Sequence, residues 1–185
     1  MMKEIIADAE ERMQKSIHSL EEALKRIRTG RAHPSILDSV MVSYYGSDTP
    51  LNQLANINVE EGRSLLITPW EKPLIGEIEK AIMRSDLGLN PSNNGDTIRV
   101  PMPVLTEETR KEYTKQAKTE AENARVAIRN IRRDANSDIK ELEKEKEISE
   151  DEQRRSEEQI QKLTDKYIAV VESTYQVKEA DLLSI

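Results

Sequence analysis

The sequence predicts an α+β fold in which an elongated three-helix bundle carries an inserted small, strand-rich α/β domain. All six glycines lie between Gly30 and Gly95, and all seven prolines lie between Pro34 and Pro103. Charged residues make up 34% of the chain and aromatic residues only 3%, which is typical of long helices packed side by side. Since glycine and proline interrupt helices, we expect continuous helices on the two flanks and strands between them.

Apolar residues recur at helical spacing on both flanks. Within residues 1–29, steps of three and four produce one stripe, and residues 106–185 contain two more, so three bundle helices are predicted. The stripes are Ile6, Ala9, Met13, Ile17, Leu20, Leu24 and Ile27; Ala117, Ala121, Ala124, Ile128, Ile131, Ala135 and Leu142; and Ile160, Leu163, Tyr167, Val170, Thr174 and Val177. Thr106 is a plausible N-cap, and Ser149 with Glu152 has the form of a capping box, so the third helix should begin near Glu150.

The middle of the chain has the pattern of short strands. Runs rich in β-branched or apolar residues at 39–45, 56–60, 64–68 and 97–100 predict strands, and residues 74–85 have helical spacing. Residues 46–48 and 61–62 are turn-like, and residues 88–95 also suggest a turn.

These elements predict a domain of residues 31–104 inserted into a bundle of residues 1–30 and 105–185. Because the bundle resumes after the insertion, the two connecting segments should run side by side at 29–31 and 101–105. Two adjacent connections of this kind form a hinge, and we expect rigid-body motion of one domain against the other.

Composition narrows the possible functions. The formal net charge of −7 argues against a protein that coats nucleic acid by bulk attraction, so any RNA contact must come from a local patch. The absence of cysteine excludes disulfides and thiolate chemistry. No apolar run approaches the roughly 18 residues of a membrane span, and the acidic N-terminal turns are unlike a transit peptide, so we expect a bacterial cytoplasmic protein without membrane contact.

No pattern in the sequence predicts catalysis. The two histidines, His18 and His33, have no metal-ligand spacing and no triad-like partners, and each is expected to be an ordinary polar side chain. Neither a P-loop nor a dinucleotide-binding glycine turn occurs. We therefore predict no catalytic residues, no metal site, no cofactor and no enzyme activity.

The clearest cluster is a run of four arginines, Arg125, Arg129, Arg132 and Arg133, with no acid between them. At about 100° per residue they occupy the side of the helix next to the apolar stripe and should be exposed. One interpretation is a solvated face with ion pairs from Arg125 to Glu122 and from Arg129 to Asp134. The other is phosphate binding, for which arginine is well suited, and local charge leaves both open.

The sequence also resembles the bacterial ribosome recycling factor family along nearly its whole length. The similarity is carried by Ile27-Arg-Thr-Gly-Arg-Ala32 with Pro34-Ser35, Tyr44-Tyr-Gly46, Thr49-Pro-Leu-x-Gln-Leu-Ala55, Glu79-Lys-Ala-Ile-Met83, Ser85-Asp-Leu-Gly-Leu-Asn-Pro91, Ile98-Arg-Val-Pro101, Leu105-Thr-Glu-Glu108, Arg125 through Asn136, Lys146-Glu-Ile-Ser-Glu-Asp151 and Gln161-Lys-Leu-Thr-Asp165. Matches in this order and spacing are far more specific than any short motif.

The resemblance implies a monomeric factor that, with elongation factor G and GTP hydrolysis by that factor, splits the post-termination ribosome and releases mRNA and tRNA. It implies an L-shaped, tRNA-like outline with a flexible elbow. It assigns the arginine face to large-subunit rRNA at the intersubunit surface, with Arg132 and Arg129 first, then Arg125 and Arg133, and Arg110 as a lesser candidate. The elbow residues would be Gly30, Arg31, Pro101, Pro103, Val104 and Leu105. Val104 stands where many members of the family carry proline.

Two other classes of function remain open. A helical-bundle scaffold or chaperone-like factor would grip a protein partner, and it predicts exposed apolar residues at the tip of the helical hairpin, where the sequence is charged. A hydrolase would need a converging pocket, which a thin three-helix rod rarely offers.

Overall fold

The computed structural model describes residues 1–184 and divides into two compact units. One unit contains Met1–Arg28 and Glu107–Leu183, and the other contains Thr29–Thr106 together with Ser184. The helices are α1 (Met2–Lys25), α2 (Ile75–Arg84), α3 (Glu107–Lys144) and α4 (Glu150–Leu183); the strands are β1 (Met41–Tyr44), β2 (Ser47–Pro50), β3 (Ala55–Glu60), β4 (Ser64–Pro69), β5 (Ser92–Asn93) and β6 (Ile98–Pro101). The predicted fold class, a helical bundle with a small α/β domain, is confirmed.

Helices α1, α3 and α4 pack together as the helical unit. The capping box predicted before α4 is present, since Glu152 N–H donates to Ser149 Oγ at 3.0 Å and Ser149 N–H donates to Glu152 Oε1 at 3.2 Å. These bonds satisfy backbone donors that a helix start leaves without partners.

Helix α1 is shorter than the sequence predicted, and the expectation of helix through residue 29 is wrong. It ends at Lys25, yet Ile27 beyond the helix end is still buried. The carbonyl of Ile27 has no helical partner and accepts a hydrogen bond of 2.6 Å from Lys178 Nζ on α4. Burial lowers the pKa of Lys178, with Asp181 opposing the shift.

The packing stripe of α4 also differs from the predicted stripe. Its buried residues are Ser156, Ile160, Thr164, Tyr167, Val171, Tyr175 and Leu182. Val177 is 65% exposed, so its predicted place in the core is wrong. Ile160, Val171 and Leu182 are separated by intervals of eleven residues, which equal three turns at about 3.67 residues per turn. A stripe drawn at 3.5 residues per turn drifts off this face.

Helix α3 follows the same interval. Ala117, Ile128 and Ile139 are buried at eleven-residue spacing, and Ile139 takes the core position that the sequence assigned to Leu142. The remaining buried residues of the predicted α3 stripe are confirmed in place: Ala121, Ala124, Ile131 and Ala135.

The second unit contains a four-stranded antiparallel sheet in the order β3-β4-β6-β5, a separate β1–β2 hairpin, and α2. Short 3-10 turns at Pro34–Leu37, Leu51–Gln53 and Lys72–Leu74 connect these elements. Alternate residues of β4 and β6 point into one apolar core, with Leu65, Ile67, Ile98 and Val100 fully buried.

Two strands of this unit were not predicted from the sequence. Residues 46–48 were expected to be a turn, but Ser47 and Asp48 belong to β2, because the turn needs only Tyr45 and Gly46. Both have positive φ, 48° and 81°, as in the two-residue turns that match strand twist. Likewise, the stretch 88–95 contains the two-residue strand β5, paired with β6.

The corrected stripe of α4 can be tested with a matched pair of variants. Val171→Ala removes two carbons from a fully buried site and should lower the free energy of unfolding by about 2 kcal/mol. Val177→Ala, at a position 65% exposed in the same helix, should change it by less than about 0.5 kcal/mol. Urea denaturation measures both, and equal losses would contradict the eleven-residue packing face.

Candidate nucleic-acid interface

The arginine run lies near the middle of α3, whose buried face positions it. At about 100° per residue, Arg125 and Arg132 border the buried stripe on the side of α4, while Arg129 and Arg133 point farther outward. This placement depends on the helix continuing without interruption from Glu107 to Lys144.

Three of the four arginines keep uncompensated charge. Arg129 and Arg132 are half-buried and Arg133 is exposed, and none of the three forms a salt bridge within residues 1–184. Arg133 Nη1 donates only to the neutral Asn130 Oδ1, at 3.0 Å. The ion pair expected between Arg129 and Asp134 is absent, because Asp134 pairs with Arg12 of α1 at 3.1 Å. Their charge is therefore available to an anionic partner.

Arg125 is different from the other three. Its Nε donates to Glu172 Oε1 on α4 at 2.6 Å, and its Nη1 donates to Glu122 Oε2 at 2.9 Å. Only 19% of its side chain is exposed, so the expectation that all four arginines are exposed is wrong at this position. The hydrogen bond to Glu172 raises the pKa of Arg125, although burial opposes the shift. Nearby, burial and a hydrogen bond to Glu179 raise the pKa of Tyr175 to about 12.

A shallow cleft opens between α3 and α4 beside Arg132. Its volume is about 540 Å³, and its lining consists of Arg132, Arg133, Asn136, Ser137, Lys140 and Gln161. Three of these residues are cationic and none is acidic. Asn136 Oδ1 is buried there without a hydrogen-bond partner in the described residues. Charge and amide groups of this kind suit an anionic, hydrogen-bonding ligand.

Arg110 lies apart from the run, near the start of α3. It faces the buried side of the helix, and its Nε is buried without a hydrogen-bond partner in the described part of the chain. It borders a groove of about 480 Å³ lined by Glu107, Arg110, Lys111, Thr114, Lys115, Lys118 and Leu183. The structure therefore does not bring Arg110 together with the other four candidates.

The lysines of this groove were not predicted from the sequence as part of the site. Lys118, Arg129 and Lys140 are separated by eleven residues, the interval of the buried stripe, so they line up along one side of α3. We call this side the basic face and define it as Lys111, Lys115, Lys118, Arg129, Arg132, Arg133 and Lys140. It extends for about 43 Å along the helix. The eleven-residue spacing of these cations is present in the sequence, but only the buried positions of α3 show that eleven residues is the interval that keeps side chains on one side of this helix.

Acidic residues occupy the opposite side of α3. By helical geometry this side carries Glu120, Asp134, Asp138 and Glu141. The helix is thus polarised across its width. A chain with a net charge of −7 thereby concentrates cationic side chains on one side of a single helix.

The predicted elbow residues all belong to the sheet-containing unit. Ala32 N–H donates to Gly62 O and Met102 N–H donates to Arg63 O, each at 2.8 Å, so both connecting segments are fastened to the same turn. Pro101 is part of β6, where it pairs with Ser64. Gly30 and Arg31 lie before the first attachment, and the segment after Met102 holds Pro103, Val104 and Leu105, of which Val104 is 74% exposed.

Among residues 1–184 no group of three or more His, Cys, Asp or Glu side chains could hold a metal ion. No helix in that part of the chain has the length and apolarity needed to cross a membrane.

Fold and surface together define a class of α+β protein: a three-helix unit with a cationic face, joined to a small unit of antiparallel strands. The sequence profile of the family Ribosome recycling factor matches residues 20–183. The chain belongs to the ribosome recycling factor family.

Full-length relatives and solved structures agree with this membership. The chain is 65% identical to the ribosome-recycling factor of Marinomonas sp. (strain MWYL1) and 62% identical to that of Alcanivorax borkumensis, with 100% of both chains covered in each case. A solution structure of a ribosome recycling factor superposes with a TM-score of 0.77 at 40% identity, covering 100% of this chain and 98% of the other. A model of the T. thermophilus ribosome recycling factor, with E. coli elongation factor G bound to the E. coli post-termination complex, has a TM-score of 0.69 at 46% identity, with 100% of both chains covered.

Proposed function

We propose that this protein binds the post-termination ribosome and, with elongation factor G and GTP hydrolysis by that factor, splits it into subunits so that mRNA and tRNA are released. The observation that carries the proposal is a basic face whose three arginines have no carboxylate partner within residues 1–184, on an otherwise acidic chain of this family. The protein makes and breaks no covalent bond, needs no cofactor, and acts as a monomer in the bacterial cytoplasm.

The basic face supplies the anchor. Arg132 and Arg129 bind phosphates of large-subunit rRNA at the intersubunit surface, with Arg133 beside them and the lysines of α3 extending the contact. Because no carboxylate of residues 1–184 neutralises these three guanidinium groups, binding does not require an existing ion pair to break. The acidic side of α3 repels RNA, so the helix can dock in one orientation only.

The two connecting segments supply the motion. We assign residues 31–104 to the inserted domain, as the sequence predicts, and place the flexible stretches at Gly30–Arg31 and Pro103–Leu105. They lie just outside the hydrogen bonds that fasten Ala32 and Met102. The elongation factor pushes the inserted domain, and the long helices carry the displacement to the intersubunit contact.

A protein-gripping scaffold fits the hairpin tip poorly. Ile148 is the one strongly apolar residue between α3 and α4, and it is buried. The surrounding residues of the connection, Glu145, Lys146, Glu147 and Ser149, are polar and exposed. The exposed side chains of this tip are polar, so they form no apolar patch that could bind a protein partner.

The role of the basic face can be tested with Arg132→Ala. Loss of one charge-assisted phosphate contact should weaken ribosome binding by about 1.5 to 3 kcal/mol, or roughly ten- to over a hundredfold. The slope of log K against log salt concentration should become shallower by about one unit. Light scattering with elongation factor G and GTP measures subunit splitting, which should fall in step with binding.

Arg154→Ala is the matched control, because it removes the same charge from an exposed site at the start of α4, where Arg154 pairs with Asp151. It should bind and split ribosomes like the wild type. Unchanged binding and salt slope in Arg132→Ala would contradict the anchor. If the wild type neither binds nor splits ribosomes, the proposed function itself fails.

The elbow can be tested with Val104→Pro. Val104 N–H makes no hydrogen bond within the described residues and the side chain is exposed, so the free energy of unfolding should change by less than about 1 kcal/mol. Because proline fixes φ only at residue 104, and many members of the family carry proline there, the variant should bind ribosomes normally and split them within about twofold of the wild-type rate. Val104→Ala is the control, and a several-fold slower rate in Val104→Pro alone would contradict this expectation, because it would mean that the motion requires rotation about φ of residue 104.

A further inference from the structure

We propose that Arg125 is a positioning residue that neutralises two carboxylates at the edge of the basic face, and that it does not contact RNA. The inference rests on the proposed function, since it concerns the surface that would meet rRNA. The sequence groups Arg125 with the neighbouring arginines of α3, whereas this proposal gives Arg125 a different role from theirs.

The hydrogen bonds of Arg125 support this role. Its Nε is bound to Glu172 at 2.6 Å and its Nη1 to Glu122 at 2.9 Å, so two of its donor groups are already occupied by carboxylates. Its side chain is 19% exposed, whereas those of Glu122 and Glu172 are 58% and 44% exposed. The carboxylates thus reach solvent more readily than the guanidinium between them. A phosphate bound by the three N–H groups that remain would come close to both carboxylates, which would repel it.

The position of Glu122 makes this neutralisation necessary. Around α3, Glu122 lies about 20° from Arg129 and between Lys118 and Arg129 along the basic face. It is the one acidic residue on this stretch of the face. Without Arg125, the negative charge of Glu122 would stand roughly two turns, or about 10 Å, from Arg129, a distance comparable with the Debye length of about 8 Å in physiological salt. Together with Glu172 it would repel the phosphates that Arg129 attracts.

Three explanations for a loss of binding in Arg125→Ala can be distinguished. A direct phosphate contact, a packing role through the α3–α4 ion pair, and charge neutralisation all predict weaker binding in the single variant. A direct contact predicts that the triple variant Arg125→Ala/Glu122→Gln/Glu172→Gln binds more weakly than Glu122→Gln/Glu172→Gln, and a packing role through the ion pair predicts that both bind more weakly than the wild type. Only neutralisation predicts that Arg125→Ala costs little once the two carboxylates are gone, so that both variants bind like the wild type or better.

The experiment measures binding to post-termination ribosomes for four proteins: the wild type, Arg125→Ala, the triple variant, and Glu122→Gln/Glu172→Gln with Arg125 retained. We expect Arg125→Ala to bind about three- to tenfold more weakly, because screened repulsion is smaller than a lost contact. The triple variant should return to within about twofold of the wild type. The double glutamine variant should bind at least as tightly as the wild type.

The proposal would be overturned if the triple variant bound ribosomes as weakly as Arg125→Ala while its urea denaturation remained cooperative. It would also be overturned if Arg125→Ala bound ribosomes with wild-type affinity. Should the single variant unfold, the comparison between the double glutamine variant and the wild type decides, since weaker binding of the double variant also overturns it. Arg132→Ala, measured in parallel, distinguishes failure of the proposed RNA anchor from failure of the proposal for Arg125. If Arg132→Ala binds normally, the anchor itself fails. If Arg132→Ala binds weakly and the carboxylate substitutions do not rescue Arg125→Ala, only the proposal for Arg125 fails.

Discussion

The small side chains at the centre of α3 determine how the helical unit is assembled. Four of its seven buried residues are alanines: Ala117, Ala121, Ala124 and Ala135. Alanine lets neighbouring helices approach towards the lower end of the 8–10 Å range of interaxial distances. The isoleucines Ile128, Ile131 and Ile139 occupy the remaining buried positions. Because α1 and α4 both pack on this one narrow face, the rest of α3 remains as two long exposed sides.

The eleven-residue interval connects this packing with the charged surface. At about 100° per residue, an eleven-residue interval turns a row by only about 20° around the helix in about 16.5 Å, whereas a seven-residue repeat turns it by about 20° the other way in about 10.5 Å. The row of Ala117, Ile128 and Ile139 therefore stays against the neighbouring helices, and the row of Lys118, Arg129 and Lys140 stays on one side. A long, nearly straight strip of charge follows from the same spacing that builds the core.

Much of this arrangement could be predicted from the sequence, and the failures have physical causes. Glycine and proline placement located the flanking helices because those residues act locally, and the Ser149 and Glu152 capping box located the start of α4 for the same reason. The stripe of α4 was misplaced because both periods fit Ile160 and Tyr167 and diverge only over several turns. The partner of Arg125 could not be predicted, since Glu172 lies on another helix, 47 residues away. Strand β2 was missed because Tyr45 is an unusual residue at positive φ in a two-residue turn.

The chain order of the helical unit has a consequence for its synthesis. Helices α3 and α4 are joined by the short connection 145–149, so they can pair as soon as both have been made. Helix α1 is made first, but its partners follow only after the whole sheet-containing unit. Until then Met13, Ile17, Leu20 and Leu24 have no apolar surface of the finished unit to cover them. The nascent chain therefore carries an apolar stripe that its own folding covers only after α3 and α4 have been made, and exposed stripes of this kind are prone to aggregate in the interval.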